Sequence, residues 1–476
     1  MEIRKILPMI LFGCFALLWT GCSSVSLKEV TSQYYNGDVN KALKLAESGS
    51  AIHKKQNTQA GADDLLWQIQ AGVIAFELQK PEALKFLEKA EGNIKVIEEK
   101  GLMSGLFENF GALLVNDTVI PYRGYLYEGV MVNYYKALYY MAHKDGANAR
   151  IELNRASDRQ RRAKEYYEKD IAQAKKAQTK MLESKENKAK QSSADQGKEA
   201  DKILASYSNL SEFQNFNGYI NPFVDYVSGV FFYIQGDQGK SQDFLKEAMG
   251  VTQNLAIQKD FELVSQKRID KKYTWILIED GIAPSKSEKG FSITLPVFTG
   301  DGVSIMNASL ALPDPKRGVD FATSYTLLDN QGKSTEASMI ATLNPLFFNE
   351  FKKQLPFIVT RNILSMAVKL GVQAGVAQIG GTAGLIGNLA GALYSRASTS
   401  ADLRIVSTFP NAFYALRVEN NQGEYELFAG KRKIARITLS DNCDKISSEA
   451  FCTNQNNMVY VRNANHNVFL INLISK

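Results

Sequence analysis

Histidine is scarce in this chain, and the common catalytic motifs are absent from it. Only three His occur among 476 residues, at His53, His143 and His466. Histidine supplies many general bases and metal ligands, so this scarcity argues against a His-based catalytic set and against a His-rich metal site. The phosphate-binding loop G-x-x-x-x-G-K-[ST], the zinc motif H-E-x-x-H and the nucleophile elbow G-x-S-x-G do not occur either. We therefore predict no catalytic residue, no metal and no cofactor.

Cysteine is nearly as scarce. Four Cys occur, and two of them, Cys443 and Cys452, form a closely spaced pair near the C-terminus. In an exported chain such a pair indicates a disulfide that closes a small loop, worth roughly 2–3 kcal/mol in the chain-entropy description. The alternative is a zinc site, for which a lone pair of Cys is a weak signal.

A strong surplus of either charge is also missing. Lys and Arg number 56 and Asp and Glu number 50, which gives a formal net charge of +6. So small a surplus on a chain of this length argues against nucleic acid as a partner. Carboxylates on the predicted helices alternate with Lys, which is typical of a solvated surface. A cell-wall-acting enzyme with an Asp/Glu pair stays open as the alternative function, because such pairs converge only in the fold.

The N-terminus has the pattern of a secretory signal peptide. A short positive segment and an apolar run at residues 6–19 precede the sequence Thr-Gly-Cys, which ends at Cys22. Small residues directly before a Cys resemble the bacterial lipobox, in which the Cys is lipidated and becomes the first residue of the mature chain. The resemblance implies a signal peptide at residues 1–21 and a lipid on Cys22. It also implies outer-membrane sorting, which Ser23 favours, and we expect the periplasmic face rather than the cell surface.

Residues 22–272 are predicted to form a TPR-like helical-repeat array. In three units, small and large residues recur at the spacing of a tetratricopeptide repeat, and a weaker copy lies at residues 32–48. The small residues are Ala71, Ala137 and Gly229 in the first helix of each unit, and Ala83, Ala149 and Ser241 in the second. Small side chains let two antiparallel helices approach each other closely. An ordinary helical bundle is the alternative.

Residues 155–202 interrupt this array. The stretch begins with strong helix formers and becomes polar, rich in Lys and poor in aromatic residues. We predict a charged helix that continues past the repeat, followed by a solvated loop near residues 183–199. The alternative is a basic patch for a membrane or a nucleic acid, against which the interleaved Glu and Asp argue.

Residues 273–476 are predicted to form an α+β domain with a mostly antiparallel sheet. Alternating and β-branched segments separated by turn residues indicate strands on both sides of a helical insert at about residues 343–396. Residues 420–423 are predicted to join two strands as a hairpin. The predicted fold class is therefore α followed by α+β, with the TPR-like array first and the β domain with its Gly-rich helical insert second.

Aromatic residues cluster on two predicted helices of the array. The candidates for contact with a partner are Tyr134, Tyr135, Tyr139, Tyr140, Tyr226 and Tyr233. Stacked helix pairs curve into a groove, and Tyr supplies a large contact area at low entropy cost. These side chains are therefore candidates for a partner groove, with packing between repeats as the alternative.

Three segments resemble a known family. They are YINPFVDYVSG at residues 219–229, LPFIVTRNI at residues 355–363 and ADLRIVSTFP at residues 401–410. In them the chain is similar to the uncharacterised TPR-like outer-membrane lipoproteins of Gram-negative bacteria. Members often sit beside other envelope lipoproteins, including ones linked to peptidoglycan-synthase activation, so the resemblance implies a role in envelope assembly. It implies no catalytic residue.

A nearly uncharged, Gly-rich stretch, GVQAGVAQIGGTAGLIGNLAG, occupies residues 371–391. It lacks the Lys and the preceding strand of a phosphate cradle. Its glycines lie four apart in pairs, at Gly371 and Gly375, Gly380 and Gly384, and Gly387 and Gly391. On a helix each pair shares a face and permits close backbone contact. The stretch either docks on the protein's own sheet or forms a seam between copies of the chain, and a membrane span is the third alternative.

Together these features predict a lipid-anchored protein-interaction scaffold rather than an enzyme. It would face the periplasm and bind a partner protein or peptide through the groove of the helical repeats. The expected partners are envelope proteins, with other lipoproteins and the cell-wall synthesis machinery as candidates. Contact with the membrane is expected through the N-terminal lipid, and a homo-oligomer is left open.

Overall fold

The computed structural model describes most of the chain. The described residues are 25–50, 63–103, 120–183, 189–208, 210, 218–299, 302–377, 400–443 and 450–476. The predicted features that lie outside them are the signal peptide at residues 1–21, the lipidation site Cys22 and the glycines Gly380, Gly384, Gly387 and Gly391.

The first half of the chain is helical. In chain order the helices are α1 (Leu27–Tyr35), α2 (Val39–Gly49), α3 (Asp64–Glu77), α4 (Glu82–Lys100), α5 (Leu126–Ala142), α6 (Gly146–Glu183), α7 (Ala189–Ala205), α8 (Pro222–Ile234), α9 (Gln238–Val251) and α10 (Leu255–Val264). The pairs α1/α2, α3/α4, α5/α6 and α8/α9 pack as helical hairpins. The predicted TPR-like array is thus present, with α7 inserted before its last pair.

The turns within these pairs repeat one chemistry. Each has a residue with positive φ, and these residues are Gly37, Gln79, Lys144 and Gly236. In three of the pairs an Asp follows directly, at Asp38, Asp145 and Asp237. Its carboxylate accepts a hydrogen bond of 3.0–3.2 Å from the backbone N–H three residues later. An Asp at this N-cap position satisfies a free N–H and starts the second helix.

Small residues let the two helices of a pair approach each other. A Cβ atom on Gly72 would lie 2.7 Å from Leu87 Cδ2, and one on Gly229 would lie 2.6 Å from Leu245 Cγ. Gly72 is therefore the counterpart of Gly229. The sequence pattern predicts Ala71 for this position, one residue earlier. The shift arises because the chain from Gly72 to Leu87 is one residue shorter than the chain from Gly229 to Leu245.

The strands form two five-stranded sheets and a separate hairpin. In chain order they are β1 (Tyr273–Asp280), β2 (Ser285–Thr299), β3 (Gly302–Lys316), β4 (Tyr325–Leu328), β5 (Ser334–Glu336), β6 (Ser338–Thr342), β7 (Ala412–Glu419), β8 (Gly423–Ala429), β9 (Arg432–Ser440), β10 (Ala450–Cys452), β11 (Asn457–Ala464) and β12 (Asn467–Ser475). The first sheet has the order β12-β11-β1-β7-β6, the second has the order β10-β9-β8-β4-β5, and β2 pairs with β3. Among the described strands, only β1/β11 and β9/β10 pair in parallel. The mostly antiparallel β region is confirmed.

Strands that precede and strands that follow the helical insert pair within the same sheets. This pairing corrects the hairpin predicted at residues 420–423. Residues 420–423 do not close a hairpin, because β7 pairs with β1 and β6 while β8 pairs with β4 and β9. The first half of β7 is buried on both faces. It therefore takes a central position in the first sheet, and the chain crosses to the second sheet after it.

The helices and the two sheets lie in three layers. Alternate residues of β1 show the arrangement: Trp275 and Leu277 belong to the core beside the helices, whereas Ile276 and Ile278 belong to the core between the sheets. The first of these cores continues without a break from the helical pairs into the first sheet. The helical region and the β region are therefore joined by a shared interior.

Residues 155–202 are helical over most of their length. The predicted loop near residues 183–199 is wrong for residues 189–199, which belong to α7. That helix packs against β2 and against α11 (Asn344–Ala377), and its Ile203 is buried. Tertiary contacts thus override the polar composition.

The helical insert predicted at residues 343–396 is confirmed for Asn344–Ala377, which form α11, and residues 378–396 lie outside the described residues. The last turns of this helix contain Gly371 and Gly375, the first of the three glycine pairs. The helix contacts α7 and both strands of the β2–β3 hairpin.

Candidate functional site

The concave side of the helical pairs is covered by the protein's own first sheet. The inner helices α3, α5 and α8 pack against that sheet, and the outer helices α4, α6 and α9 lie behind them. Every residue of α3 is buried, and Phe76 in it packs edge-on against Tyr460 of β11 with ring centroids 5.4 Å apart. Phe223 of α8 contacts Phe413 of β7 at 4.8 Å. The groove that stacked helix pairs usually offer is therefore filled.

Three of the six tyrosines predicted for a partner groove are enclosed by this contact. Tyr134, Tyr135 and Tyr226 are 0%, 0% and 1% exposed. Tyr135 stacks on Phe409 at 5.8 Å and donates a hydrogen bond of 2.6 Å to Glu279. No partner reaches side chains this deeply buried, so their predicted role is corrected: they pack the inner helices onto the sheet.

The other three tyrosines, Tyr139, Tyr140 and Tyr233, are half-buried. Tyr139 stacks on His143 with ring centroids 4.0 Å apart, and Tyr233 meets Trp275 edge-on at 5.6 Å. These side chains contact aromatic groups of their own chain and do not line one continuous groove.

A buried polar network joins the inner helices to the first sheet. Arg462 of β11 is fully buried, and its Nη2 donates to the carbonyl of Gly281 at 2.8 Å. Its Nε lies 3.5 Å from Glu77 Oε1 of α3, and Tyr34 donates to Glu77 Oε2 at 2.6 Å. Burial raises the pKa of Glu77 to about 8 despite the opposing charge of Arg462. Because protein surrounds these groups, they form a joint between two layers rather than a site open to a substrate.

Two further carboxyl groups, Glu128 and Glu350, have the raised pKa expected of a general acid. Burial raises the pKa of both to about 7. Glu350 accepts hydrogen bonds from the backbone N–H groups of Leu126 at 2.7 Å and Tyr127 at 3.0 Å, while Glu128 accepts one from Tyr122 at 2.7 Å. Glu350 thus accepts the free N–H groups at the N-terminus of α5, and Glu128 fixes Tyr122 in the segment that precedes this helix. Neither lines any of the cavities described for this chain, and their hydrogen bonds give both a structural role.

Two open grooves flank α6 on the outer side of the helical pairs. The groove between α4 and α6 has a volume of about 380 Å³, and the groove between α6 and α9 has a volume of about 580 Å³. Six basic and four acidic side chains line them. We call this surface the outer face, and its charged residues are Glu91, Lys95, Glu98, Arg155, Asp158, Arg159, Arg161, Arg162, Lys240 and Asp243.

The floor of the first groove is fixed by a buried ion-pair cluster. Lys136 of α5 is 3% exposed and lies 2.6 Å from Glu91 Oε2 and 2.9 Å from Glu152 Oε1. Burial opposes ionisation of Glu91, but the hydrogen bond and the charge of Lys136, together with Asn133 and Lys95, outweigh it and lower the pKa of Glu91 to about 2. The cluster holds α4, α5 and α6 together, so the groove above it has a rigid base.

Four arginines of α6 dominate the outer face. They are Arg155, Arg159, Arg161 and Arg162, all within eight residues. The side chains of Arg161 and Arg162 are 54% and 73% exposed, and they lie 2.6 Å from Glu247 and 2.8 Å from Asp158. Exposed ion pairs of this kind contribute only about 0–1 kcal/mol. A carboxylate from outside can therefore replace the internal partner at little cost.

The remaining predicted sites are structural or absent from the described residues. Cys443 and Cys452 are joined by a disulfide with their Cα atoms 5.3 Å apart, as the sequence predicted. Within the described ranges, no group of three or more His, Cys, Asp and Glu side chains is placed to hold a metal ion. No helix in the same ranges is both long and apolar enough to cross a membrane.

Comparison with known proteins adds little to this picture. No protein-family model and no curated protein matches the chain. A solved structure that matches it is that of a tetratricopeptide repeat protein from Parabacteroides merdae. The two chains are 12% identical, the match covers 50% of this chain and 98% of the other, and the TM-score is 0.12. So low a score supports no argument, and the fold class follows from the helices and strands of this chain alone.

The sequence RASDRQRR at residues 155–162 is the part of the chain from which the basic surface of the outer face could have been predicted. Arg155, Arg159 and Arg162 follow one another at the spacing that places side chains on one side of a helix. Composition alone assigns this stretch to a solvated helix. It does not show that the solvated side lies between two grooves, because the grooves are formed by α4 and α9, which are distant in sequence.

Proposed function

We propose that this chain is a lipid-anchored, periplasm-facing interaction scaffold of the bacterial envelope, and that it binds an acidic segment of a partner protein on the outer face. The helical-repeat architecture supports the scaffold role, since such arrays present long surfaces to partners. The lipobox-like sequence ending at Cys22 supports the anchor. The first sheet covers the concave side, which leaves the outer face as the open surface of the array.

The observation that carries this proposal is the group of arginines on α6. Guanidinium groups bind carboxylates through two parallel hydrogen bonds, which makes clustered arginines suited to acidic segments. Six basic and four acidic side chains line the outer face, and even with Glu247, the ion-pair partner of Arg161, the basic side chains outnumber the acidic ones by one. The exposed pairs of Arg161 and Arg162 are easily exchanged, as their exposure shows. Charge complementarity therefore favours an acidic segment over a basic one.

The partner site is tested with a charge reversal. The variant Arg161→Glu/Arg162→Glu should weaken binding of a fluorescent Glu- and Asp-rich peptide by about tenfold or more, because two charge-assisted contacts become repulsive. The matched control is Arg268→Glu, whose side chain is 86% exposed and lies outside the helical pairs. Fluorescence polarisation at two salt concentrations measures both. Equal binding by the two variants, or tighter binding of single-stranded DNA than of the peptide, would contradict an acidic protein segment.

The lipid anchor is tested separately. The variant Cys22→Ala should leave the membrane fraction of the cell, because the residue that carries the lipid is removed. Fractionation followed by immunoblotting measures this. Cross-linking in cells with the anchored wild type and with Arg161→Glu/Arg162→Glu then shows whether an envelope partner depends on the outer face. Normal membrane retention of Cys22→Ala would refute the anchor without affecting the binding site.

A further inference from the structure

Two buried carboxyl groups share one guanidinium where α3 meets the first sheet. Glu77 of α3 is 2% exposed, and Glu279 of β1 and Arg462 of β11 are fully buried. Arg462 Nε lies 3.5 Å from Glu77 Oε1, while the Nη2 and Nη1 atoms donate to the carbonyls of Gly281 at 2.8 Å and Asn463 at 2.9 Å. Within the described residues, Arg462 is the only cation that forms an ion pair with either carboxyl. We call Glu77, Glu279 and Arg462 the joint cluster.

Tyrosine hydroxyls supply the other hydrogen bonds of the joint cluster. Tyr34 of α1 donates to Glu77 Oε2 at 2.6 Å. Tyr135 of α5 and Tyr460 of β11 donate to Glu279 Oε2 at 2.6 and 3.0 Å. Burial raises the pKa of the tyrosines that face the cluster, so they stay neutral. These tyrosines are Tyr34, Tyr35, Tyr134, Tyr135 and Tyr460.

Asp280, the next residue of β1, has partners of its own. Because side chains alternate along a strand, it lies on the opposite face from Glu279. There Tyr325 donates to its carboxylate at 2.6 Å and Asn463 at 2.8 Å, and the backbone N–H groups of Phe321 and Ala322 donate at 2.9 and 3.3 Å. These four donors stabilise the charge of Asp280 without help from the joint cluster. The charge of the cluster is therefore decided by its two carboxyls.

The balance of charge in the joint cluster favours the presence of one proton. If Glu77 and Glu279 were both ionised, the cluster would have a net negative charge, and if both were protonated, Arg462 would have no counter-charge. Either state leaves an uncompensated charge in a buried interior, which is strongly unfavourable. Within the described residues the Oε1 atoms of both carboxyls also lack a hydrogen-bond partner. An ionised carboxylate normally accepts donors at both oxygens, so neither carboxyl is well prepared to hold its charge.

We infer that Glu77 and Glu279 hold one proton in common, and that the joint cluster is a pH-sensitive joint that attaches the first sheet to the inner helices most firmly while this proton is present. Loss of the proton in alkaline solution leaves one carboxylate of α3 facing one carboxylate of β1 with a single guanidinium between two charges. The two layers then repel each other where they meet. This device lies in the interior, so it depends neither on the outer face nor on the lipid anchor.

The direction of the pH dependence follows from the environment of the carboxyls. Burial raises the pKa of Glu77 from 4.5 to about 8 against the opposing charge of Arg462, and the charge of Glu279 acts in the same direction as burial. Burial also raises the pKa of Glu279. Both carboxyls therefore bind a proton more tightly in the folded than in the unfolded chain. The stability that the shared proton contributes is fully present below about pH 4.5 and is lost as the pH rises to about 8.

Urea unfolding of the full chain at several pH values counts the protons released on unfolding, because each proton changes the unfolding equilibrium constant about tenfold per pH unit. At about pH 6, Glu77→Gln and Glu279→Gln should each lower this count by about one proton relative to the wild type. The double variant Glu77→Gln/Glu279→Gln should also lower it by only about one, because the two carboxyls share a single proton. The matched control is Glu77→Gln/Glu350→Gln. Burial raises the pKa of Glu350 to about 7 at a separate place in the fold, so this pair should lower the count by about two.

The shared proton is excluded by two results. A loss of about two protons in Glu77→Gln/Glu279→Gln would mean that each carboxyl holds its own proton, and no loss in the single variants would mean that both are ionised. If the double variant does not fold, Arg462→Met decides the question. Without the guanidinium both carboxyls should be protonated, so the count should rise by about one proton. An unchanged count in Arg462→Met would overturn the inference as well.

Discussion

The close packing inside each helical pair can be tested by two glycine substitutions in one hairpin. Gly72 lies in α3 where it faces α4, and a Cβ atom there would lie 2.7 Å from Leu87 Cδ2 and 2.8 Å from Leu87 Cγ. Gly92 lies inside α4, and a Cβ atom there has nothing within 4 Å. The same change to Ala therefore meets opposite surroundings in two helices that pack together.

The magnitudes follow from two effects. Replacing Gly with Ala inside a helix stabilises it by up to about 1 kcal/mol, because the unfolded chain has less conformational freedom. At Gly92 this is the only effect, so Gly92→Ala should raise the free energy of unfolding by about 0.5–1 kcal/mol. At Gly72 the new methyl group must displace Leu87, which is fully buried, and such overpacking costs about 1–3 kcal/mol. Gly72→Ala should therefore lower the free energy of unfolding by roughly 1–2 kcal/mol.

Urea unfolding followed by circular dichroism at 222 nm measures both variants against the wild type. Because the core is continuous from the helices into the first sheet, Trp fluorescence should report the same transition. Gly229→Ala repeats the test in the last pair, where a Cβ atom would lie 2.6 Å from Leu245 Cγ. If Gly72→Ala and Gly92→Ala both stabilise the protein, the helices do not approach as closely as described and the repeat geometry is wrong.

Two further predictions concern buried charges. Asp225 is 1% exposed, and burial together with the nearby Glu247 raises its pKa from 3.8 to about 8. Since its pKa is higher in the folded state, the contribution of Asp225 to stability is fully present below about pH 4 and is lost as the pH rises to about 8, by up to about 1.4 kcal/mol per pH unit. Glu77, Glu128 and Glu350 add slopes of the same sign, so Asp225→Asn should make the fall in stability between about pH 4 and pH 8 less steep than in the wild type, in urea titrations at several pH values. Arg462→Met should lower the free energy of unfolding by about 3–5 kcal/mol, because it leaves Glu77 and the carbonyl of Gly281 buried without their cation. The exposed Arg436→Met serves as its control, and equal urea midpoints for these two variants would refute the buried network.

The parts of the fold that were predictable from sequence depend on local chemistry. The turn residues Gly37, Lys144 and Gly236, each followed by Asp, mark the start of the second helix in their pairs through interactions within a few residues. Small residues at repeat spacing indicate the helix pairs for the same reason. The strands of the C-terminal half are likewise indicated by alternation along a short segment.

What the sequence did not predict depends on contacts between distant segments. The pairing of β7 with β1 rather than with β8 joins residues more than a hundred positions apart. The burial of Tyr135 requires β1 and the segment of Phe409 to cover α5. An aromatic side chain on an amphipathic helix has the same sequence pattern whether it faces a partner or the protein's own sheet. For Tyr134, Tyr135 and Tyr226 the predicted contact with a partner is therefore wrong.

The covering of the inner helices has a consequence for any partner. To use the concave side, a partner would have to lift the first sheet and expose Phe76, Tyr135 and Phe223, each worth about 1.5–3 kcal/mol of burial. It would also have to separate Arg462 from Glu77, which leaves charges without partners in a dry interior. The outer face imposes no such cost, since its exposed ion pairs contribute little to stability and exchange readily. A partner that binds on the outer face, as proposed, would avoid this cost of several kcal/mol.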